Sequence, residues 1–183
     1  DMAGFALHLP SLLLAPRGDG RPVILLPGYG ASEVSMEPLA RFLSFIGYTA
    51  HQWDLGRNRG KVDQYSRAIA DQLVARHAAP VTLIGWSLGG VVAREAARLA
   101  PDRVRQIITM GTPIIGGPKY TSVGRRFARA ESLDMDRFER EVHERNLVGL
   151  DCPITAIYTD RDGVVSPASS QDIYNPQTRM VKV

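Results

Sequence analysis

The amino-acid sequence predicts an α/β fold in which a mainly parallel central sheet carries helices on both faces. Six strand-like runs alternate along the chain with helical stretches, and this alternation is typical of a sheet built from βαβ units. The first run, Val-Ile-Leu-Leu, is apolar at every position, as expected of a strand that is covered on both sides. The six runs lie at residues 23–26, 48–53, 81–84, 106–110, 154–159 and 179–183.

Length and composition favour a single domain over residues 1–183, because 44% of the residues are hydrophobic and can form a sizeable core. The net charge of +3 is small and basic residues are interleaved with acids, so nucleic acid is not predicted as a partner. No run has the length of a transmembrane helix, and the apolar stretch 5–15 is too short and too broken for a convincing signal peptide. The single cysteine, Cys152, excludes an internal disulfide and favours a reducing compartment, so we expect a cytoplasmic protein.

The first strand and the segment after it form the first functional candidate. A turn signal, Arg-Gly-Asp-Gly, precedes the strand at 23–26, and the loop Pro-Gly-Tyr-Gly follows it. The glycines of this loop, Gly28 and Gly30, allow backbone to come close to a ligand. A helix is predicted over 36–46, with Ser35 as its N-cap and a proline in its first turn. An ordinary strand-to-helix loop is the alternative interpretation.

The third strand leads into the most informative motif. The hexapeptide Gly-Trp-Ser-Leu-Gly-Gly at 85–90 follows the apolar run 81–84 and precedes an alanine-rich helix. Gly-x-Ser-x-Gly between a strand and a helix is the pattern of a nucleophile elbow, which leaves Ser87 exposed at the apex of a sharp turn. Gly85 and Gly89 are predicted to keep the crossing of strand and helix open. A glycine-rich turn with an idle serine is the alternative.

An acyl-transfer site needs two N–H donors directed at the position where the carbonyl oxygen becomes an oxyanion. We expect one donor to be the N–H of Leu88, the residue after the nucleophile. The other is expected to be the N–H of Tyr29, in the loop after the first strand. Gly28 and Trp86 are predicted substrate-binding residues, and the side chains of Tyr29, Trp86 and Leu88 would make the inner pocket apolar.

The interval between the fourth and fifth strands is much longer than a helical crossover requires. Met135, Phe138 and Val142 share one face of a predicted helix there, while charged residues occupy the others. The segment can be an amphipathic crossover helix or a lid over Ser87. We predict a cap insertion over about residues 112–150, with a Gly/Pro-rich entrance at 112–123.

With these features in view, the chain resembles bacterial serine esterases and lipases of the α/β-hydrolase superfamily. The resemblance implies the α/β-hydrolase fold in a minimal version, without clear counterparts of the first two strands of larger members. It also implies a triad in the chain order serine, acid, histidine. The segments that carry it lie at residues 23–32, 55–58, 85–90, 108–113 and 157–165.

The acid of the triad is expected in the loop after the fifth strand, where Asp160 and Asp162 are both present. Asp162 alone matches the Asp-Gly-Val-Val pattern of the family, so we assign to it the role of orienting the catalytic imidazole. Asp160 is interpreted as a turn residue or as a partner of Arg161. The alternative role for Asp162 is that of an Asp-Gly turn.

A histidine is needed as general base, and the family places it after the acid. His8, His51, His77 and His143 all precede Asp162. We therefore expect the base beyond Val183, after the last strand, and interpret the chain as ending short of it. A structural role is favoured for His51, although it can approach the rim of the site, and His77 is placed near the end of a helix over 62–78.

The predicted function is hydrolysis of carboxylic esters through an acyl-enzyme at Ser87. No metal and no organic cofactor is implied, and the expected partner is a small-molecule ester with a hydrophobic acyl group. Two alternatives stay open. The same residues suit other acyl-transfer reactions, and a protein without a catalytic histidine would be a non-catalytic binding module.

Overall fold

The computed structural model contains one six-stranded sheet in the order β2-β1-β3-β4-β5-β6. Every neighbouring pair of strands is parallel, so the predicted α/β architecture is confirmed. The structure describes residues 12, 14–122, 124 and 134–183. The strands are β1 (Pro22–Leu26), β2 (Thr49–Gln52), β3 (Val81–Trp86), β4 (Val104–Met110), β5 (Ile154–Tyr158) and β6 (Arg179–Lys182).

Four helices are described in full: α1 (Glu33–Ile46), α2 (Val62–Arg76), α3 (Leu88–Leu99) and α4 (Met135–Leu147). Short 3-10 turns occupy Pro101–Arg103 and Gly117–Tyr120. None of these helices, in the part of the chain that the structure describes, is long and apolar enough to cross a bilayer.

The start of α1 differs from the prediction. The helix begins at Glu33, three residues before the expected start, and Ser32 occupies the N-cap position. Ser35 lies inside the first turn, where its hydroxyl donates to the Ser32 carbonyl at 2.7 Å. Its assignment as the cap was wrong, because a serine within the first turn can bond back to the backbone and leave the helix to start earlier.

Alternate residues of β1 face opposite sides of the sheet. Val23 and Leu25 belong to a cluster with Met36 and Ala40 of α1. Ile24 belongs to the larger cluster, to which α2 and α3 contribute Ile69, Leu73, Val92 and Ala96. Since side chains alternate along a strand, α1 covers one face of the sheet and the pair α2 and α3 covers the other.

The parallel arrangement brings the carboxyl ends of all six strands to one edge of the sheet, where ligands bind in open α/β folds. The loops that carry Tyr29, Ser87 and Asp162 follow β1, β3 and β5 respectively. The predicted cap interval contains α4 and the turn at Gly117–Tyr120. Its residues 123 and 125–133 lie outside the described residues, as does His8.

Candidate active site

Ser87 lies between the last residue of β3 and the first residue of α3, with φ 51° and ψ −123°. A positive φ is uncommon for a residue other than glycine, and such strain persists only where the surroundings fix it. The Ser87 N–H donates to the Met110 carbonyl of the neighbouring strand at 2.8 Å. The Gly90 N–H donates to the Ser87 carbonyl at 3.0 Å. Ser87 is therefore held at the apex of the turn by β4 on one side and by α3 on the other.

Glycine is required on both sides of Ser87, as the sequence predicted. A Cβ at Gly85 would collide with the backbone of Gly90, and one at Gly89 would collide with the carbonyl oxygen of Leu26. Gly90 is a third such position, which the sequence analysis did not single out: its Cβ would overlap the Thr112 side chain. These contacts bring the start of α3 directly against the ends of β1 and β4.

The two predicted oxyanion donors lie near this turn. Leu88 is the first residue of α3, so its N–H has no acceptor within the helix. Tyr29 lies in the loop after β1, and both residues line a cavity together with Ser87.

Gly28 and Trp86, the predicted substrate-binding residues, pack around the serine. A Cβ at Gly28 would lie 3.3 Å from the Ser87 Cβ and 3.3 Å from the Trp86 ring. Trp86 is 43% exposed and is not among the residues that line the cavity. Contact of either residue with substrate stays a prediction.

The cavity has a volume of about 490 Å³ and lies between α3, α4 and the loop that leads into α2. It follows one face of α3, and its lining there comprises Ser87, Leu88, Val91, Arg94 and Glu95. At roughly 1.5 Å per residue this face extends about 12 Å from the serine. Phe138 and Val142 of α4 line the cavity too, and the role of that helical face as a cover stays a prediction.

The far part of the cavity is charged. Arg145 of α4 lies 3.8 Å from a carboxylate oxygen of Glu95 on α3 and 3.8 Å from one of Asp63 on α2. All three side chains contribute to the lining. Along α3 the wall is thus apolar near Ser87, at Leu88 and Val91, and charged farther away, at Arg94 and Glu95.

Asp162 is held as a turn-forming aspartate. Its Oδ1 accepts hydrogen bonds from the N–H groups of Val164 at 2.8 Å and Val165 at 3.0 Å. Its Oδ2 faces Gly111, where a Cβ would lie only 2.8 Å away. Gly111 follows Met110, the residue whose carbonyl accepts from the Ser87 N–H. The structure thus places Asp162 beside the end of β4, the strand next to the nucleophile.

Asp160 has a different environment from Asp162. It forms an ion pair with Lys182 of β6, and its side chain is 59% exposed. The neighbouring carboxylate raises the pKa of Lys182 through their hydrogen bond and charge. Of the two predicted roles, that of a turn residue is confirmed, and the ion-pair partner of Asp160 is Lys182 on the adjacent strand and not Arg161.

The segment after Asp162 is tied to α3 by a buried ion pair that the sequence analysis missed. Arg94 Nη1 lies 2.7 Å from Asp172 Oδ2, and their side chains are 3% and 0% exposed. Asp172 also accepts from the side chains of Asn175 and Thr178. Burial favours a raised pKa at Asp172, but the Arg94 charge and these hydrogen bonds outweigh it and hold the pKa below its usual range. Nothing in a sequence links two residues 78 positions apart.

The three histidines in the described part of the chain contact each other or a tyrosine. The His51 ring, on edge strand β2, lies 5.3 Å from the His77 ring at the end of α2. His143 Nδ1 is 3.0 Å from the Tyr174 hydroxyl. None of these three residues lines the cavity.

The residues described contain no group of three or more His, Cys, Asp or Glu side chains arranged to hold a metal ion. Ser87, Leu88 and Tyr29 line the cavity, whereas Asp162 is not among its lining residues. A family model for the alpha/beta hydrolase fold matches residues 21–158. The chain belongs to the α/β-hydrolase fold family.

Two curated relatives carry the same name, pimeloyl-(acyl-carrier protein) methyl ester esterase. The protein from Aliivibrio salmonicida is 35% identical over 106 residues, which cover 56% of this chain and 40% of that protein. The protein from Photobacterium profundum is 27% identical over 160 residues, which cover 85% of this chain and 58% of that protein. The matched parts thus span about half the length of these relatives.

Solved structures of other α/β-hydrolases share the fold. An α/β-hydrolase enzyme from the metagenome of lagoon sediments at Mar Chica, Morocco, has a TM-score of 0.67 and 18% identity, covering 91% of this chain and 81% of that one. The monoacylglycerol lipase of Paleococcus ferrophilus has a TM-score of 0.66 and 13% identity, covering 92% and 86%. At this level of identity the likeness concerns the fold alone.

Proposed function

We propose that this protein hydrolyses carboxylic esters through an acyl-enzyme formed on Ser87. The observation that carries the proposal is the strained serine at the start of α3, which opens into a cavity beside two candidate N–H donors. The Ser87 hydroxyl attacks the ester carbonyl, and the N–H groups of Tyr29 and Leu88 stabilise the oxyanion. The alcohol leaves, and water then releases the acid from the serine.

The reaction requires a base for the Ser87 proton, since a serine hydroxyl is a weak nucleophile without one. We assign the orientation of that base to Asp162, whose Oδ2 is not used by the turn bonds to Val164 and Val165. The base itself is proposed to be a histidine beyond Val183. Because β6 runs parallel to β5, a chain that continues past it leaves the sheet at the edge where Asp162 lies.

The proposed substrate is an ester whose acyl chain lies along α3. The apolar residues Val91, Phe138 and Val142 would contact such a chain, and the length of the cavity suits one of medium size. The names of the relatives point to methyl esters as the first compounds to test. We place the protein in the cytoplasm, in keeping with its single cysteine.

A fluorophosphonate probe tests the nucleophile directly, because it reacts with activated serines. The probe should label the protein of full natural length, and Ser87→Ala should abolish both labelling and hydrolysis of methyl and p-nitrophenyl esters of increasing acyl length. Ser66→Ala, at a buried serine of α2, serves as the matched control and should keep both. Residues 1–183 alone should react far more slowly than the longer protein.

Two outcomes would contradict the proposal. Labelling that persists in Ser87→Ala would show that another residue is the nucleophile. Absence of labelling and turnover in the protein of full natural length would favour a binding protein without catalytic activity.

A further inference from the structure

One buried side chain from the loop after β2 holds the loop that carries Tyr29. Asn58 is 0% exposed. Its Nδ2 donates to the Pro27 carbonyl at 2.8 Å, and its backbone N–H donates to the Ala31 carbonyl at 2.8 Å. Its own carbonyl accepts from the Gly30 N–H at 2.7 Å. Three bonds from a single residue thus reach the loop on both sides of Tyr29.

These bonds restrict the peptide group that contains the Tyr29 N–H. Because a peptide is planar, fixing the Pro27 carbonyl also fixes the Gly28 N–H, and fixing the Gly30 N–H also fixes the Tyr29 carbonyl. The peptide between Gly28 and Tyr29 lies between these two fixed planes. Glycines on both sides of Tyr29 would otherwise allow this loop many conformations.

The Pro27 carbonyl, which accepts from Asn58, also lies near the second candidate donor, the N–H of Leu88. A Cβ at Gly89 would lie 2.7 Å from the carbonyl oxygen of Pro27, the oxygen that accepts from Asn58. Gly89 directly follows Leu88. The Pro27 peptide is therefore both packed against the start of α3 and bonded to Asn58. These two contacts together fix the position of the Tyr29 N–H relative to that of the Leu88 N–H.

The chemistry of the side chain fits this position. Asn58 Oδ1 accepts from the Gly60 N–H at 3.0 Å while Nδ2 donates to Pro27. The amide carries a donor and an acceptor on one carbon, whereas an ionised carboxylate carries acceptors only. An aspartate of the same shape would keep the bond from Gly60 but would place an oxygen against the Pro27 carbonyl.

We propose that Asn58 is a positioning residue of the oxyanion site, which sets the direction of the Tyr29 N–H relative to that of Leu88. Asn58 does not line the cavity, so its effect passes through the loop and not through contact with the substrate. The inference rests on the proposed function, because it assigns the Tyr29 N–H to the oxyanion.

The test compares Asn58→Asp and Asn58→Ser with the wild type, each in the protein of full natural length. We expect kcat to fall by about 10²-fold, near the lower end of the loss caused by removing one oxyanion donor, while KM changes little. The affinity for a trifluoromethyl ketone, which forms an oxyanion on the serine, should fall in parallel with kcat/KM. The affinity for an unreactive ketone of the same shape should stay within about twofold.

A control separates positioning from general stability. Ile69→Val changes a fully buried core residue away from the sheet edge and should lower the melting temperature without changing kcat. If the Asn58 variants lose no more kcat than Ile69→Val, or if both ketones weaken equally, the proposal is overturned. Should Asn58→Asp fail to fold, Asn58→Ser decides, since a hydroxyl fits the buried space and lacks the reach to Pro27.

The two proposals fail in different ways. If Ser87 is not the nucleophile, the probe either still labels Ser87→Ala or does not label the wild type. If only the role of Asn58 is wrong, the wild type still reacts at Ser87 and the Asn58 variants turn over at the same rate.

Discussion

The nucleophile side and the acid side of the site are held in place by different means. Ser87 is fixed by backbone hydrogen bonds and by glycines within a strand, a turn and a helix that follow one another in sequence. Asp162 lies in a series of turns between β5 and β6. That segment is joined to the rest of the molecule by the Arg94–Asp172 ion pair and by an antiparallel bridge between Thr121 and Val165.

This difference predicts that the two sides of the site respond differently to substitutions elsewhere in the chain. The geometry around Ser87 depends on contacts of the turn with the neighbouring strands β1 and β4, so it should survive substitutions in the segment after β5. The position of Asp162 depends on tertiary contacts to α3 and to the cap interval. Asn146 of α4 adds to these contacts between α3 and the cap interval. Its Oδ1 accepts from Arg98 at 3.0 Å, and its Nδ2 donates to the Ile114 carbonyl at 2.9 Å.

The largest effect on the acid side should come from Asp162→Asn. In the protein of full natural length we expect kcat to fall by about 10⁴-fold, because an amide at this position disturbs the tautomer of the catalytic histidine. Asp160→Asn is the matched control and removes only an exposed ion pair, for which little change is expected. Steady-state kinetics of the two variants decides the assignment, and the reverse ranking would show that Asp160 is the acid.

The next effect concerns stability. Asp172→Asn leaves the buried Arg94 charge without its partner and should lower the free energy of unfolding by about 3–5 kcal/mol. Urea unfolding monitored by circular dichroism measures this loss. Asp63→Asn, whose side chain is 87% exposed, is the control and should stay within about 0.5 kcal/mol of the wild type.

The pH dependence of this loss has a definite sign. Since the pKa of Asp172 is lowered in the folded protein, its contribution to stability is complete above the ordinary aspartate pKa of about 4. It is lost as the pH falls through the lower pKa of the folded state. The wild type should therefore keep its advantage over Asp172→Asn from pH 8 to pH 5. An advantage that vanished already near neutral pH would contradict this account.

The fold and the nucleophile were predictable because their signals are local. The apolar runs identify the strands, and the glycines around Ser87 identify the turn, since each pattern lies within a few consecutive residues of the chain. The roles of Asn58, Arg94 and Asp172 were not predictable. A lone polar residue in a loop, or an arginine on a helix, is expected to be exposed to solvent, and only the folded chain shows that these side chains are buried and paired.

The smallest predicted effect concerns β2 and the end of α2. The strand β2 lies at the other end of the sheet from β5 and β6. Burial lowers the pKa of His77, and the neighbouring His51 and Arg76 lower it further. A histidine whose pKa is lower in the folded state than the ordinary value of about 6.5 costs stability as the pH falls below that value. The cost is complete once the pH has passed the pKa of the folded state. His77→Gln removes the titration, so its melting temperature should fall less between pH 7.5 and pH 5 than that of the wild type.

The same variant also tests the assignment of the acid side of the site. His51 and His77 contact each other and do not line the cavity. His77→Gln and His51→Gln should both leave kcat within about twofold of the wild type, since neither ring is placed to accept the Ser87 proton. A loss of several orders of magnitude in His51→Gln would place the base on β2. In that case Asp162 would not be the residue that orients the base, and the acid of the triad would have to be sought near β2.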